Sequence, residues 1–438
     1  MIVLKFGGTS VGDADKIKEV AKLVNTNEFK IVVLSAMSGT TNKLAEIANY
    51  LYKKNNDTAN ELIINLEQEY INVVNTLFER DDYKKKGSEL ISSHFNHIKS
   101  FTQDLFTIFE EKSILAQGEL ISTALFHYYL SENNIKSVLI PALNFMRTDK
   151  DGEPDLYYIK ENLNREINAH PDETIFITQG YIARNTFGEI DNLKRGGSDY
   201  TASLVGVAIH AKEIQIWTDI DGMHNNDPRI IDNTQPLANI SFEEASELAY
   251  FGAKILHPAS VHPAKIANIP VRLKNTMQPD AFGTLITSNT YKRGIIAIAA
   301  KDGITAIKIK SGRMLLAHGF MRKVFEIFEI YKTSIDMITT SEVAVSVTID
   351  ETKYLTDIVD ELRKYGTVET ETNYTIICVV GDLIAENKGY AATIFNSLKN
   401  IPIRMISYGG SRHNVSILVE TAHKKETLTA LNSILLNV

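Results

Sequence analysis

The first fifty residues alternate between short apolar runs and helically spaced stripes. Ile2–Phe6 reads as a strand, 15–24 has helical spacing, and 31–34 is a β-branched strand. A turn of small and hydroxyl residues then leads into a second helix. This alternation predicts a parallel sheet with right-handed crossovers. From 54 to 130, apolar residues (Leu62, Leu66, Tyr70, Val73, Leu77) recur at helical intervals among many charges, so the region reads as helical. Short β-rich runs follow at 138–140, 174–178, 213–217 and 271–274, with a helix at 243–250.

After about residue 295 the pattern changes and repeats itself. Val324-Phe325, Ile335-Asp336-Met337-Ile338 and Val345-Ser346-Val347 return as Ile394-Phe395, Ile403-Arg404-Met405-Ile406 and Val415-Ser416-Ile417, at offsets of 70, 68 and 70. Each copy reads helix, strand, polar turn, strand. Two copies are too few for a solenoid and the period is too long, so two small α+β modules are expected. The division expected is 1–295 and 296–438, with no Pro/Gly-rich linker between, so that the modules pack on the first domain.

A length of 438 residues fits two or three domains. Lys plus Arg number 46 against 54 Asp plus Glu, a net charge of −8, which argues against a nucleic-acid partner. Cys378 is the only cysteine, so neither a disulfide framework nor a cysteine zinc site is expected, and a reducing, cytoplasmic setting fits. No run approaches the roughly 18 apolar residues of a membrane span. The opening residues read as a first strand rather than a signal peptide.

Three glycine-marked turns carry the candidate chemistry. Lys5-Phe6-Gly7-Gly8-Thr9-Ser10 follows a strand and precedes a helix: glycines allow close approach of a ligand, a helix N-terminus offers N–H groups to an anion, and Lys5 can meet a phosphate. The Walker spacing is absent, and a tight βα turn explains the glycines equally well. Ser35-Ala36-Met37-Ser38-Gly39-Thr40-Thr41-Asn42 can hold a carboxylate through hydroxyls, although helix capping accounts for it by itself. Lys194-Arg195-Gly196-Gly197-Ser198-Asp199-Tyr200-Thr201-Ala202 joins a guanidinium suited to a carboxylate with Asp199, which could fix a lysine or a metal. Trp217-Thr218-Asp219 to Asp227-Pro228-Arg229 is a loop without the order of a calcium site, and Phe251-Gly252-Ala253-Lys254 adds another lysine. Since ligands of open α/β sheets bind outside the carboxyl ends of the strands, a phosphate-handling enzyme follows.

These motifs, together with His257-Pro258-Ala259, resemble the aspartokinases over nearly the whole chain and in order, and within them the lysine-sensitive, monofunctional type. The resemblance implies an amino-acid kinase fold, a mostly parallel sheet between helices, followed by two α+β ACT-like domains, at about 312–385 and at 296–311 with 386–438. A fused homoserine dehydrogenase is not expected, because the sequence ends at Val438. The implied reaction is transfer of the ATP γ-phosphoryl group to the β-carboxylate of L-aspartate. That carboxylate, with an ordinary pKa of about 3.9, is already ionised, so positioning and charge stabilisation dominate.

By the same resemblance, Lys5, Phe6, Gly7 and Gly8 meet the phosphates and Asp199 organises Lys5. Arg195 clamps an aspartate carboxylate, Glu119 takes the substrate ammonium, and Ser35, Thr41 and Ser198 add polar contacts. Thr218, Asp219, His224, Arg229 and Lys254 fall at the nucleotide. His224 stands where the lysine-sensitive relatives have tyrosine, so nucleotide contacts there are expected to differ. Mg²⁺ bridges the phosphates, largely through water. From spacing alone Gln117-Gly118-Glu119-Leu120 reads as an ordinary helix start, with a carboxylate suited to the helix dipole.

Ser334-Ile335-Asp336-Met337-Ile338-Thr339-Thr340-Ser341-Glu342 is similar to the family's lysine-binding segment, which implies L-lysine as inhibitor. Asp336 and Glu342 would face its ammonium, with Met314, Phe320, Ser334, Ile335 and Thr340 lining the rest. A homodimer or tetramer through the ACT domains is expected. The rival readings are a kinase of the same fold acting on glutamate, carbamate or a nucleoside monophosphate, and a catalytically silent amino-acid sensor.

Overall fold

The computed structural model describes residues 1–103, 105–193, 196–252, 256–289, 294–311, 318–382 and 386–436. They form two compact units. The first is 1–223 with 238–240 and 255–288; the second is 224–237 with 241–254 and 289–438. The division therefore differs from a single break at 295, because three stretches of the expected first domain, 224–237, 241–254 and 289–295, join the second unit.

The first unit is built on an eight-stranded sheet. Its strands are β1 (Ile2–Phe6), β2 (Lys30–Leu34), β3 (Val138–Leu139), β4 (Ile175–Gln179), β7 (Ile214–Thr218), β8 (Asn239–Ser241), β9 (Val271–Asn275) and β10 (Thr284–Thr287); β5 (Ile182–Arg184) and β6 (Ile190–Asn192) form a separate hairpin. The spatial order is β3-β4-β2-β1-β7-β9-β10-β8. The run from β3 to β9 is parallel, and β10 lies antiparallel to β9.

Every residue of β2 and β4 is buried, as expected of strands covered on both faces. On one face Leu4, Phe6, Val32, Leu34, Ile175, Ile177 and Trp217 meet helices Ala14–Val24, Thr40–Tyr52, Asn56–Leu77, Asp81–Ser100 and Ile108–Glu132. The last three helices account for most of the helical region foreseen at 54–130. Helix Asn56–Leu77 turns Ile63, Leu66, Tyr70, Val74 and Leu77 inward, leaving Leu62 and Val73 at the margin of the stripe. The core face is thus rotated from the one first read. Several entries into this layer are capped: Asp13 and Asn55 accept backbone N–H groups, and Thr107 forms a capping box with Glu110.

The second unit contains a six-stranded antiparallel sheet: β11 (Gly294–Lys310), β12 (Ile338–Thr340), β13 (Ala344–Ile349), β14 (Thr367–Asp382), β15 (Met405–Tyr408) and β16 (Asn414–Glu420), in the order β12-β13-β11-β14-β16-β15. The sequence repeat is visible in it. Helices Phe320–Ile330 and Tyr390–Ser397 each start after a left-handed glycine, Gly319 and Gly389, and each leads to a hairpin. Two cores divide the long strands at mid-length. Ile295, Ile298, Ile377 and Val379 pack with Ile394, Val415, Ile417 and Leu431. Ile307 and Ile309 pack with Val324, Val345, Ile358 and Leu362, and Val368 lies against them. The cores thus draw the line within β11 and β14 rather than at the boundaries expected from sequence. The register shift between Lys301 and Ile304 marks the crossing.

Candidate active site

Three turns of the first unit converge beyond the carboxyl ends of β1, β2 and β4. Alternation along β1 puts Lys5 on the face opposite Phe6. There its ammonium meets the Asp199 carboxylate in the first turn of helix Gly197–Ala208, at 2.6 Å. The contact is a close ion pair without hydrogen-bond alignment, and both side chains are mostly buried. Gly7 donates its N–H to the Trp217 carbonyl at 3.2 Å, and Ser10 donates to Gly7 at 2.9 Å, which shapes the first turn. A Cβ on Gly8 would lie 2.9 Å from the Ala36 carbonyl oxygen, so only glycine lets the first and second turns touch.

The long helix Ile108–Glu132 closes the site from below. A Cβ on Gly118 would stand 2.7 Å from that of Ala36, and Ser122 donates to the Ser35 carbonyl at 2.7 Å. The close packing delivers Glu119, only 3 % exposed, to the second turn. Burial pushes its carboxyl up to about 8, against the opposing pull of the Ala36 and Glu119 backbone N–H groups and of Lys5. Its Oε2 is buried without a hydrogen-bond partner. The third turn enters through Gly196 and Gly197, both at positive φ. Gly180, at the end of β4, is where a Cβ would collide with Ser198.

The result is a pocket of about 400 Å³ lined by Ser35, Thr41, Glu119, Tyr181, Ser198 and the backbone of Gly8 and Gly197. A buried carboxyl, several hydroxyls and an adjoining lysine suit a small zwitterion next to a phosphate. Tyr181 is absent from the sequence-derived set. It sits at φ 68, held by a bond from its N–H to Thr201 Oγ1 at 2.9 Å, and burial pushes its hydroxyl up to about 12. The available signal was a glycine, Gly180, at the end of a β-rich run, the same mark that singled out the other turns.

The nucleotide candidates are distributed over both units. Thr218 and Asp219 end β7 beside β1, with Thr218 Oγ1 donating to the Asp219 carboxylate at 3.0 Å. His224 and Arg229 belong to the second unit. His224 Nδ1 lies 3.2 Å from Thr234 Oγ1, and Arg229 forms a two-pronged pair with Asp227. Arg195, Lys254 and Met314 lie outside the described residues.

Of the regulatory candidates, Phe320 is buried in a module core with Ile335 beside it, whereas Ser334, Thr340 and Glu342 are exposed. The Asp336 side chain is fully buried and bonds Lys301 at 2.7 Å. The Tyr250 hydroxyl also donates to it, at 2.9 Å. Burial holds the Asp336 carboxyl above the usual aspartate range despite Lys301.

A parallel sheet with a buried carboxylate and a lysine–aspartate pair at glycine turns defines a class of small-molecule phosphotransferase. Residues 1–275 match the amino acid kinase family, and residues 377–435 match an ACT domain. The chain is 33% identical to lysine-sensitive aspartokinase 3 of Escherichia coli, over 99% of this chain and 98% of that one. It superposes on crystal structures of E. coli aspartokinase III in complex with lysine and aspartate (T-state; TM-score 0.86, 32% identity) and with aspartate and ADP (R-state; TM-score 0.83, 31% identity). Both alignments cover 99% of each chain. The chain belongs to the aspartokinase family.

Proposed function

We infer that this chain is an aspartate kinase, converting L-aspartate and ATP to 4-phospho-L-aspartate and ADP, and that L-lysine inhibits it. The observation that carries the reading is the buried, unpartnered Glu119 oxygen facing hydroxyls beside the Lys5–Asp199 pair. An ammonium completes Glu119 and removes the cost of burying its charge. Arg195 takes a substrate carboxylate, leaving the β-carboxylate turned toward the phosphate turn, while Ser35, Thr41 and Ser198 fix its orientation. Lys5 and the Gly7-Gly8 backbone offset the charge of two anions brought together. Asp199 holds Lys5 in place while a β-carboxylate oxygen bonds to the γ-phosphorus and the bond to ADP breaks.

Among the described residues, no three His, Cys, Asp or Glu side chains cluster as a metal cage. A Mg²⁺ would be held chiefly by nucleotide phosphates and water, where it would neutralise phosphate charge. Thr218, Asp219, His224, Arg229 and Lys254 would hold the nucleotide, and Asp336 and Glu342 would take the ammonium of lysine.

The test is hydroxamate formation from ATP, Mg²⁺ and L-aspartate with hydroxylamine, titrated with L-lysine. Trapped acyl phosphate that lysine suppresses supports both halves of the reading. Product only with glutamate overturns the substrate. Product indifferent to lysine overturns the effector.

A further inference from the structure

Lys301 lies where β11 passes from one core of the second unit to the other. Its ammonium is 2.7 Å from Asp336 Oδ1, 2.9 Å from Asp350 Oδ2 and 4.7 Å from the centroid of the Tyr250 ring. Two carboxylates and an aromatic face make up a receptor for an alkylammonium ion. Its walls are fixed without help from Lys301. The Asp336 N–H donates to the Thr348 carbonyl at 2.9 Å, Met337 N–H donates to Thr348 Oγ1 at 2.9 Å, and Asp350 directly follows β13. The occupant, by contrast, sits at the end of a flexible four-carbon stem. Asp336 Oδ2 remains buried with no partner.

We propose that the Lys301 ammonium is a tethered occupant of the effector's own ammonium subsite, and that free lysine acts by displacing it. This rests on the reading of Asp336 as an effector contact. A tethered group competes at an effective concentration in the millimolar range, so lysine binds only during the fraction of time the subsite is open. The same exchange selects the effector. An amino acid with a neutral side chain that displaced Lys301 would leave two carboxylates uncompensated, one of them buried, which is strongly unfavourable.

In the full-length enzyme, Lys301→Met should lower the half-inhibiting lysine concentration, and the Kd measured by calorimetry, about tenfold. Unchanged or weaker lysine binding overturns the proposal. Because the variant leaves two carboxylates unpaired, Lys301→Ala provides a second measurement. Millimolar n-butylammonium should raise its melting temperature and not that of the parent; no rise overturns the subsite. Asp336→Asn separates the two layers. Unaltered lysine affinity there sinks the assignment of Asp336 itself. Weakened affinity, with no tightening in Lys301→Met, sinks the tethered occupant alone.

Discussion

At the scale of single residues, the proposed chemistry rests on Glu119 and Lys5. Glu119 has a raised carboxyl pKa, about 8 in the fold against about 4.3 unfolded. A group raised in this way contributes stability that is fully present below its unfolded pKa and is lost as pH rises through its folded pKa. The melting temperature of the parent should therefore fall, relative to Glu119→Gln, between about pH 5 and about pH 9. The proposed role of Glu119 as the ammonium site requires the ionised form, so KM for aspartate should drop over the upper part of that range, and the drop should vanish in Glu119→Gln. Lys5→Ala should reduce kcat by about 100-fold or more, in line with loss of a charge donor to a transition state, with a much smaller change in KM for aspartate. A kcat equal to the parent's would remove Lys5 from the reaction.

At the scale of elements, the site depends on how closely turns can approach. Gly8→Ala and Gly118→Ala each force a methyl against Ala36, one against its carbonyl and the other against its side chain. Each should destabilise by about 1–3 kcal/mol in urea titrations and lower kcat as the Ser35 turn is displaced. Glycines at strand ends were legible in the sequence, because a positive φ or a close approach leaves a composition mark. So was the doubled α+β pattern, because its apolar spacing recurs. Glu119 was not legible by spacing. Its place in the pocket arises from helix Ile108–Glu132 packing on a turn about eighty residues earlier, and only the family likeness pointed to it. Tyr181 carries a local mark, Gly180 at the end of a β-rich run, but the placing of its side chain in the pocket likewise depends on packing between distant segments. The expected module boundaries also lay elsewhere, since local patterning cannot show that one strand serves two cores. Helix Phe242–Tyr250 likewise reads as part of the first domain, yet its Glu247 accepts from Ser411 at 2.7 Å and from Asn414, both in the second unit.

At the scale of the whole molecule, ligand binding should register as stability. Lysine at a hundred times its Kd should add about 2.7 kcal/mol to unfolding if it binds only the folded chain, seen as a rise in melting temperature. Glu342→Ala should shrink that rise and shift lysine inhibition to higher concentration, and an unshifted curve would move the effector elsewhere. Beneath both effects lies the way β11 and β14 run through the two cores, paired from Gly294 with Asp382 to Lys310 with Thr367. A duplication can create such a pair, but a deletion cannot undo it. Removing either copy would strip half of each long strand of its packing and expose unpaired backbone edges. The doubled module should therefore fold as one piece. Sequence change can specialise its halves separately, as the exchange of Asp336 for Arg404 at the matching repeat position illustrates, while natural truncations should take both modules or neither.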